Sequence, residues 1–145
     1  YLEGGGNIGG DVSVHEDFVV DGGVNIDGSI SVEGELRING GIRIGGDTDV
    51  SGSSIIIGGL DIGGDLSVGG DLTIETHGSR ESIIRGDVDV SGDVLISGEK
   101  PLVIKGDLVA EGSVNLENVQ IEGDLSASKI IIGENTKVMG KIYET

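Results

Sequence analysis

The sequence predicts an all-β fold: a single-stranded parallel β-helix, or β-solenoid, of triangular section with three six-residue strands in each 18-residue turn. Three observations predict it. A six-residue repeat runs through most of the chain, two apolar residues alternate within each repeat, and 29 glycines accompany a single proline in 145 residues. Glycine without a Gly-X-Y period excludes collagen, and frequent glycine disfavours helix. We expect one domain over 1–145, with regular hexads over 5–118 and shortened coils over 119–145.

The hexads run without a gap from Gly5 to Thr76, as in GVNIDG and DLSVGG. They resume at Glu81 and again at Pro101, which makes eighteen before the units shorten. The fourth position is apolar in all eighteen, the second in fourteen, and the sixth is glycine in fifteen. Apolar residues two apart indicate a short strand with one face inward, and glycine marks the corner that follows, through positive φ or close backbone approach.

The first positions of the hexads support three hexads per turn, because every third hexad shares a residue type there. One column begins with Gly5, Gly23, Gly41 and Gly59. The other two are mainly acidic: Asp11, Ser29, Asp47, Asp65, Asp87, Asp107, and Asp17, Glu35, Ser53, Asp71, Asp93, Ser113. Both interruptions, 77–80 and 99–100, fall between a third-column hexad and the next first-column hexad. Both loops should therefore leave one corner of a rod of roughly seven turns, about 35 Å long at one strand spacing per turn.

From about Val88 onward the chain resembles the bactofilins, the bacterial polymer-forming cytoskeletal proteins. The resemblance rests on the units Gly86–Val90, Gly106–Ala110 and Gly123–Ala127 and on the closing segment Lys129–Ile142, KIIIGENTKVMGKI. It implies a right-handed triangular β-helix whose subunits stack end to end into non-polar filaments without nucleotide. It also implies a cytoplasmic scaffold, associated with the membrane through flanking segments. The chain lacks the family's disordered tails, and YLEGGG lacks its apolar membrane-targeting segment; a cell-surface location stays open.

Charge and composition exclude several partners. A formal net charge of -17 repels nucleic acid and anionic membrane surfaces. The absence of cysteine removes disulfides and thiolate metal sites, and three aromatic residues cannot form a stacking platform. No apolar run approaches the length of a membrane span. We therefore expect no nucleic-acid partner, no direct membrane insertion and no cofactor.

Two features carry candidate chemistry. In the acidic columns, carboxylates of the same charge lie one strand spacing apart and repel one another. Weakly bound divalent cations or corner N–H groups would offset this repulsion. The alternative is that aspartate after glycine is ordinary turn chemistry on a soluble surface. His77 lies in the insertion THGSRES beside Ser79, Arg80 and Glu81 and is the best enzyme hypothesis, by analogy with hexapeptide acyltransferases. The hexads of those acyltransferases carry one large apolar residue, whereas the hexads of this chain carry two, which disfavours the enzyme hypothesis. His15 lies about four turns away, so no two-histidine site is expected, and we predict no catalytic or metal residues.

The leading functional prediction is a non-enzymatic structural protein that binds itself end to end. An open solenoid presents unpaired backbone groups at both ends. The predicted assembly residues at the C-terminal end are Val138, Met139, Ile142 and Tyr143, and the only charged residues beside them are Lys137, Lys141 and Glu144. At the N-terminal end the predicted assembly residues are Tyr1 and Leu2. The alternative mode of assembly is lateral contact between rods through Val19, Ile55 and Leu95 on the face of the third column. The alternatives are a monomeric cell-surface stalk and, less favoured, a transferase or ligand-binding module.

Overall fold

Alternating apolar residues in the hexads form short strands that place one row of side chains inside the coil. The computed structural model describes the backbone of residues 2–77 and 82–145, and strands run through both ranges. Each turn lays its strands directly on those of the preceding turn, parallel and in register. The result is the predicted β-solenoid, with no helix in the described residues.

The strands before the insertion are β1 (Leu2–Glu3), β2 (Gly6–Ile8), β3 (Val12–Val14), β4 (Phe18–Ile26), β5 (Ile30–Val32), β6 (Leu36–Ile44), β7 (Thr48–Val50), β8 (Ser54–Ile62), β9 (Leu66–Val68) and β10 (Leu72–Thr76). Those after it are β11 (Ser82–Ile84), β12 (Val88–Val90), β13 (Val94–Gly98), β14 (Leu102–Ile104), β15 (Leu108–Ala110), β16 (Ser113–Leu116), β17 (Val119–Ile121), β18 (Leu125–Ala127), β19 (Lys129–Ile132), β20 (Lys137–Val138) and β21 (Ile142–Glu144).

The three predicted columns are the three faces of the coil. The second face is an eight-stranded sheet from β3 to β21, which gives about eight turns rather than the seven expected. The third and first faces belong to one 13-stranded sheet. They are joined because β4, β6 and β8 each run nine residues through the corner, where we had expected two separate strands.

The 18-residue turn is confirmed in the regular part, where Ile26 pairs with Ile44 and Ile44 with Ile62. The interval then lengthens to 22 and 20 residues and shortens to 17. The two long turns contain the interruptions after Thr76 and after Gly98, and both leave the corner between the third and first faces, as predicted. The strands realign after each interruption because the alternating apolar residues allow only one inward register.

The core consists of stacked aliphatic columns. Ile26, Ile44, Ile62 and Ile84 form one such column, as predicted, and each is at most 1% exposed. The described polar residues that are fully enclosed are Thr48, Ser54, Thr76 and Ser82. Thr48, Ser54 and Ser82 occupy second positions, where most hexads carry an apolar residue. The core is therefore aliphatic apart from Phe18 and a few isolated hydroxyls.

Corner glycines serve two different geometric needs. At the corner between the third and first faces the last glycine of the hexad has positive φ, as at Gly22, Gly40, Gly58 and Gly98. Asn118 takes this place one turn later with φ 65, and its Nδ2 donates to the Gly98 carbonyl at 3.2 Å. At the other corners, as at Gly64, a Cβ would collide with the Asp47 carboxylate of the previous turn. Positive φ and close approach were both expected. Close approach applies at all three corners, since a Cβ at Gly40 or Gly58 would also collide with the backbone of the previous turn, whereas positive φ is confined to the corner between the third and first faces in the regular turns.

Candidate assembly site

The C-terminal turn leaves the core of the coil open. Its three strands, β19, β20 and β21, each pair on one side only. Ile142 continues the column of Leu125, and Ile132 continues that of Leu116, so both point inward. They are nevertheless 49% and 43% exposed, because no further turn covers them. The end of the rod is an apolar surface bordered by free backbone edges.

The residues predicted for this surface divide into two groups. Val138 and Ile142 continue core columns, and Val138 packs against the core. Met139 and Tyr143 are exposed, and Tyr143 pairs with Ser126 at an outward position. Ile131 and Ile132 are also exposed here and were missed as assembly residues, although three consecutive isoleucines at 130–132 are a visible signal.

The charges at this end were undercounted from the sequence. The last turn starts at Lys129, so Lys129 and Glu134 join Lys137, Lys141 and Glu144. Its three lysines and two glutamates give a net charge of +1, in a chain whose net charge is -17. Glu144 pairs with Ala127 and so occupies an inward position. Inward charges are one way in which natural sheets protect an open edge.

The N-terminal end is open as well. The sheets begin with β1, β2 and β3, and Ile8, Val12 and Val14 are only partly buried against the core. The backbone of Leu2 pairs with Val20, and Tyr1 lies outside the described residues. Residues 1–16 carry Glu3, Asp11 and Glu16 and no lysine or arginine, a formal charge of -3. The two ends therefore have opposite charge.

The aspartates of the second column form a hydrogen-bonded ladder along the rod. The Oδ1 of each accepts the backbone N–H of the equivalent residue one turn later, at 2.7 to 2.9 Å. Ser29 forms the same rung through its Oγ, and the final rung runs from the Lys141 N–H to Asp124. Corner N–H groups are thus the partners of these carboxylates, one of the two alternatives raised above. Each aspartate rung also explains the glycine that precedes the next turn's first position, since a Cβ on that glycine would displace the aspartate carboxylate.

A second ladder follows the third column and is interrupted once. Asp17 accepts the Glu35 N–H, and Ser53, Asp71 and Asp93 each accept the N–H of the next turn. Among the described residues no side chain accepts the N–H of Ser53. Glu35 occupies the position from which an aspartate would reach it, and the additional methylene changes where its carboxylate lies. One rung of the third-column ladder is therefore missing.

The predicted lateral residues lie in one row of the third face but do not touch one another. Val19 pairs with Arg37, Arg37 with Ile55, Ile55 with Thr73, and Thr73 with Leu95. A polar residue thus separates each apolar pair. Only Leu95 of the three is strongly exposed, at 46%. The row is a weaker apolar surface than the sequence suggested.

The histidines have acidic neighbours. His77 Nε2 lies 2.8 Å from Glu75 Oε1, and His15 Nδ1 lies 3.2 Å from Glu33 Oε1. Ser79, Arg80 and Glu81, the other members of the enzyme hypothesis, lie outside the described residues. Within the described ranges, no group of three or more His, Asp or Glu side chains could hold a metal ion. No helix of the described chain is long and apolar enough to cross a membrane.

Comparison with known proteins found no matching family model and no significant match among curated proteins or solved structures. The bactofilin family therefore stays a prediction, as does the right-handed sense of the coil that the resemblance implies.

Proposed function

We propose that this protein is a non-enzymatic structural subunit that stacks head to tail into filaments without nucleotide. The observation that carries the proposal is the open core at both ends, most clearly the half-exposed Ile142 at an inward position. Unpaired strands beside exposed apolar residues pair with another chain unless they are blocked. A second copy satisfies backbone and apolar groups together, because its first strands carry inward aliphatic residues at the hexad positions that Val138 and Ile142 occupy.

Extending the columns fixes the register of the junction. Ile142 of one copy faces Val12 of the next, and Val138 faces Ile8, because these residues occupy equivalent positions in their hexads. Both contacts are aliphatic. Because the C-terminal surface binds the N-terminal surface, the contact is head to tail and does not close on itself, so it propagates into a filament. Such a filament is polar, which departs from the non-polar filaments that the bactofilin resemblance implies.

Charge supports the same register. Lys141 occupies the position that aspartates hold in earlier turns of the second column, and Asp11 begins that column. Across the junction the Lys141 side chain therefore lies one strand spacing, ~4.8 Å, from Asp11 of the next copy. At each end of the rod the charge is opposite to that of the partner end, whereas contact between two like ends brings like charges together.

Charge exchange tests the junction most sharply. We expect the wild type to form filaments in negative-stain electron microscopy and to sediment as a polymer. Lys141→Glu should weaken assembly, because it places a second carboxylate beside Asp11, and its longer side chain lacks the rung that an aspartate would form, as at Glu35. Lys141→Glu combined with Asp11→Lys should restore assembly. Asp11→Lys also removes the rung to the Ser29 N–H, so thermal unfolding of the double variant is measured beside its filaments. The rung to Asp124 uses the backbone N–H of residue 141, so the substitution leaves that hydrogen bond in place. Failure of the exchange to rescue filaments would reject this register.

Apolar variants separate end-to-end from lateral assembly. Ile142→Asp with Tyr143→Asp should abolish filaments and leave thermal unfolding nearly unchanged, because both side chains are about half exposed in the free rod. Ile55→Asp with Leu95→Asp is the matched control and should at most unbundle filaments. Filaments that survive the first pair and disappear with the second would favour lateral contact.

Glu144 favours a second candidate, a monomeric stalk or spacer. In the proposed junction Glu144 faces Val14, and a carboxylate against an aliphatic side chain opposes stacking. Lone rods at every protein concentration would support the stalk. In the filament proposal, Glu144→Val should lower the concentration at which filaments appear.

A further inference from the structure

The three faces of the rod differ in charge. The described residues of the first face are 5–10, 23–28, 41–46, 59–64, 82–86, 101–106, 118–123 and 135–140. They include four basic and three acidic side chains, a formal net charge of +1. The second face, which follows each of these stretches, has one basic and twelve acidic side chains, a net charge of -11. The third face has two basic and eight acidic side chains, a net charge of -6.

This distribution selects the face through which two rods can lie side by side. Two second faces or two third faces bring like charges together, which opposes contact. The third face, predicted above for lateral assembly, is therefore a poor surface for binding a second copy. Two first faces meet without net repulsion.

The charged groups of the first face are also largely paired within one rod. Asp61 Oδ2 lies 3.5 Å from Arg43 Nε, and Asp61 Oδ1 accepts a hydrogen bond from Arg85 Nη1 at 2.6 Å. Lys105 Nζ lies 3.6 Å from Glu122 Oε2. Every ion pair between a lysine or arginine and a carboxylate in the described residues lies on this face. Paired charges cost less to cover than isolated ones.

The two halves of the first face differ in height. Its outward row, read from the N-terminal end, is Asn7, Asn25, Arg43, Asp61, Ile83, Val103, Gln120 and Lys137. In the first four turns the positions on either side of this row are glycine except for Asp27, and depressions of about 600 and 290 Å³ lie there. In the last four turns the described residues at these positions are larger: Arg85, Pro101, Lys105, Asn118, Glu122, Asn135 and Met139. The N-terminal half is therefore hollow and the C-terminal half raised.

We propose that two rods pair through their first faces, antiparallel and related by a twofold axis. The raised half of each copy then lies on the hollow half of the other, an arrangement that the symmetry repeats. The second turn of one copy faces the seventh turn of its partner, so Asn25 lies opposite Gln120, and no like charges meet in the outward row. Beside that row Asp27 approaches Glu122, whose carboxylate is paired with Lys105.

A parallel pair fits less well, because it sets Arg43 against Arg43, Asp61 against Asp61, and one hollow half against the other. Area supports a stable contact: eight turns at ~4.8 Å and six residues at ~3.3 Å give a face of about 750 Å², close to the ~800 Å² that each partner contributes to a standard interface. The pairing does not depend on end-to-end stacking. Where both occur, two polar filaments run in opposite directions and the double filament has no overall polarity.

Sedimentation equilibrium of the Ile142→Asp, Tyr143→Asp variant tests the pairing without stacking, and we expect a reversible dimer. In this background Asn25→Asp with Gln120→Asp should weaken the dimer by about tenfold or more, because the twofold axis opposes the new carboxylates twice. Asn25→Asp with Gln120→Lys should restore it. Ser31→Asp with Ser126→Asp is the matched control, since it adds the same charge in the same two turns of the second face. This control should dimerise like the parent variant.

Cross-linking tests the orientation, because the chain has no cysteine of its own. Asn25→Cys mixed with Gln120→Cys, each as a single variant, should form a disulfide-linked heterodimer, and neither should cross-link alone. The proposal is overturned if the rods stay monomeric at every concentration, if the first-face carboxylates weaken the dimer no more than the second-face control does, or if Asn25→Cys cross-links to itself, which indicates a parallel pair.

Discussion

Thr48→Val should stabilise the solenoid, because it removes a hydroxyl group that the core cannot satisfy. Thr48 is 1% exposed in β7 and lies between Ile30 and Leu66 of the neighbouring turns. Its Oγ1 has no hydrogen-bond partner. A buried, unpaired polar group costs about 1 to 3 kcal/mol, and valine has nearly the same shape. We therefore expect a gain of about 1 to 2 kcal/mol in the free energy of unfolding, which for a chain of this size raises Tm by about 2 to 8 °C.

The measurement is thermal unfolding followed by circular dichroism, together with urea titration in which the midpoint rises and the m-value stays constant. Ser54→Ala should change stability in the same direction, since Ser54 Oγ is also buried without a partner. Ser82→Ala is the control of opposite sign, because Ser82 Oγ accepts the Leu60 N–H at 3.1 Å. A Thr48→Val variant that is no more stable than the wild type, beside a destabilised Ser82→Ala, would refute the reasoning.

Three further predictions concern the ladders and the core. Glu35→Asp should restore the missing rung to the Ser53 N–H and raise the free energy of unfolding by about 0.5 to 1.5 kcal/mol in urea titration; a loss would show that the longer side chain suits this corner better. Asp65→Ala should cost about the same amount while Asp65→Asn, which keeps an acceptor, costs less; equal losses would mean that the rungs do not stabilise the coil. Ile44→Ala and Ile62→Ala should each cost about 2 to 5 kcal/mol through cavities in the core, and unchanged thermal unfolding would disprove the inward register.

Backbone N–H groups offset more of the repulsion between the surface aspartates than the net charge of the chain suggests. Every aspartate of the second-column ladder has a backbone N–H on its Oδ1, and that N–H belongs to the next turn. Aspartate at this corner therefore links consecutive turns as well as adding charge to the surface. This explains why Gly-Asp pairs recur, since glycine leaves space for the carboxylate of the turn below.

Much of the fold could be predicted because its information is local. Alternation within a hexad identifies the inward positions, as at Ile26 and Ile44, and a one-residue shift would expose the whole apolar set. The outward first positions then gave the 18-residue turn and placed both interruptions at one corner. The assembly residues were predicted from the same alternation, and the structure places Val138 and Ile142 of that set on core columns. Their role in assembly stays a prediction.

Only the tertiary structure showed the contacts between consecutive turns, because these contacts join residues 16 to 22 positions apart in the sequence. Which atom accepts each corner N–H, the missing rung at Glu35 and the inward position of Glu144 all follow from the stacking of turns. So does the eighth turn, which the pairing of β18 with β21 shows. The sequence by itself determined the repeat, the inward face and the number of residues in a regular turn, since hydrophobic alternation acts within six residues. Contacts between turns depend on geometry that no single hexad contains.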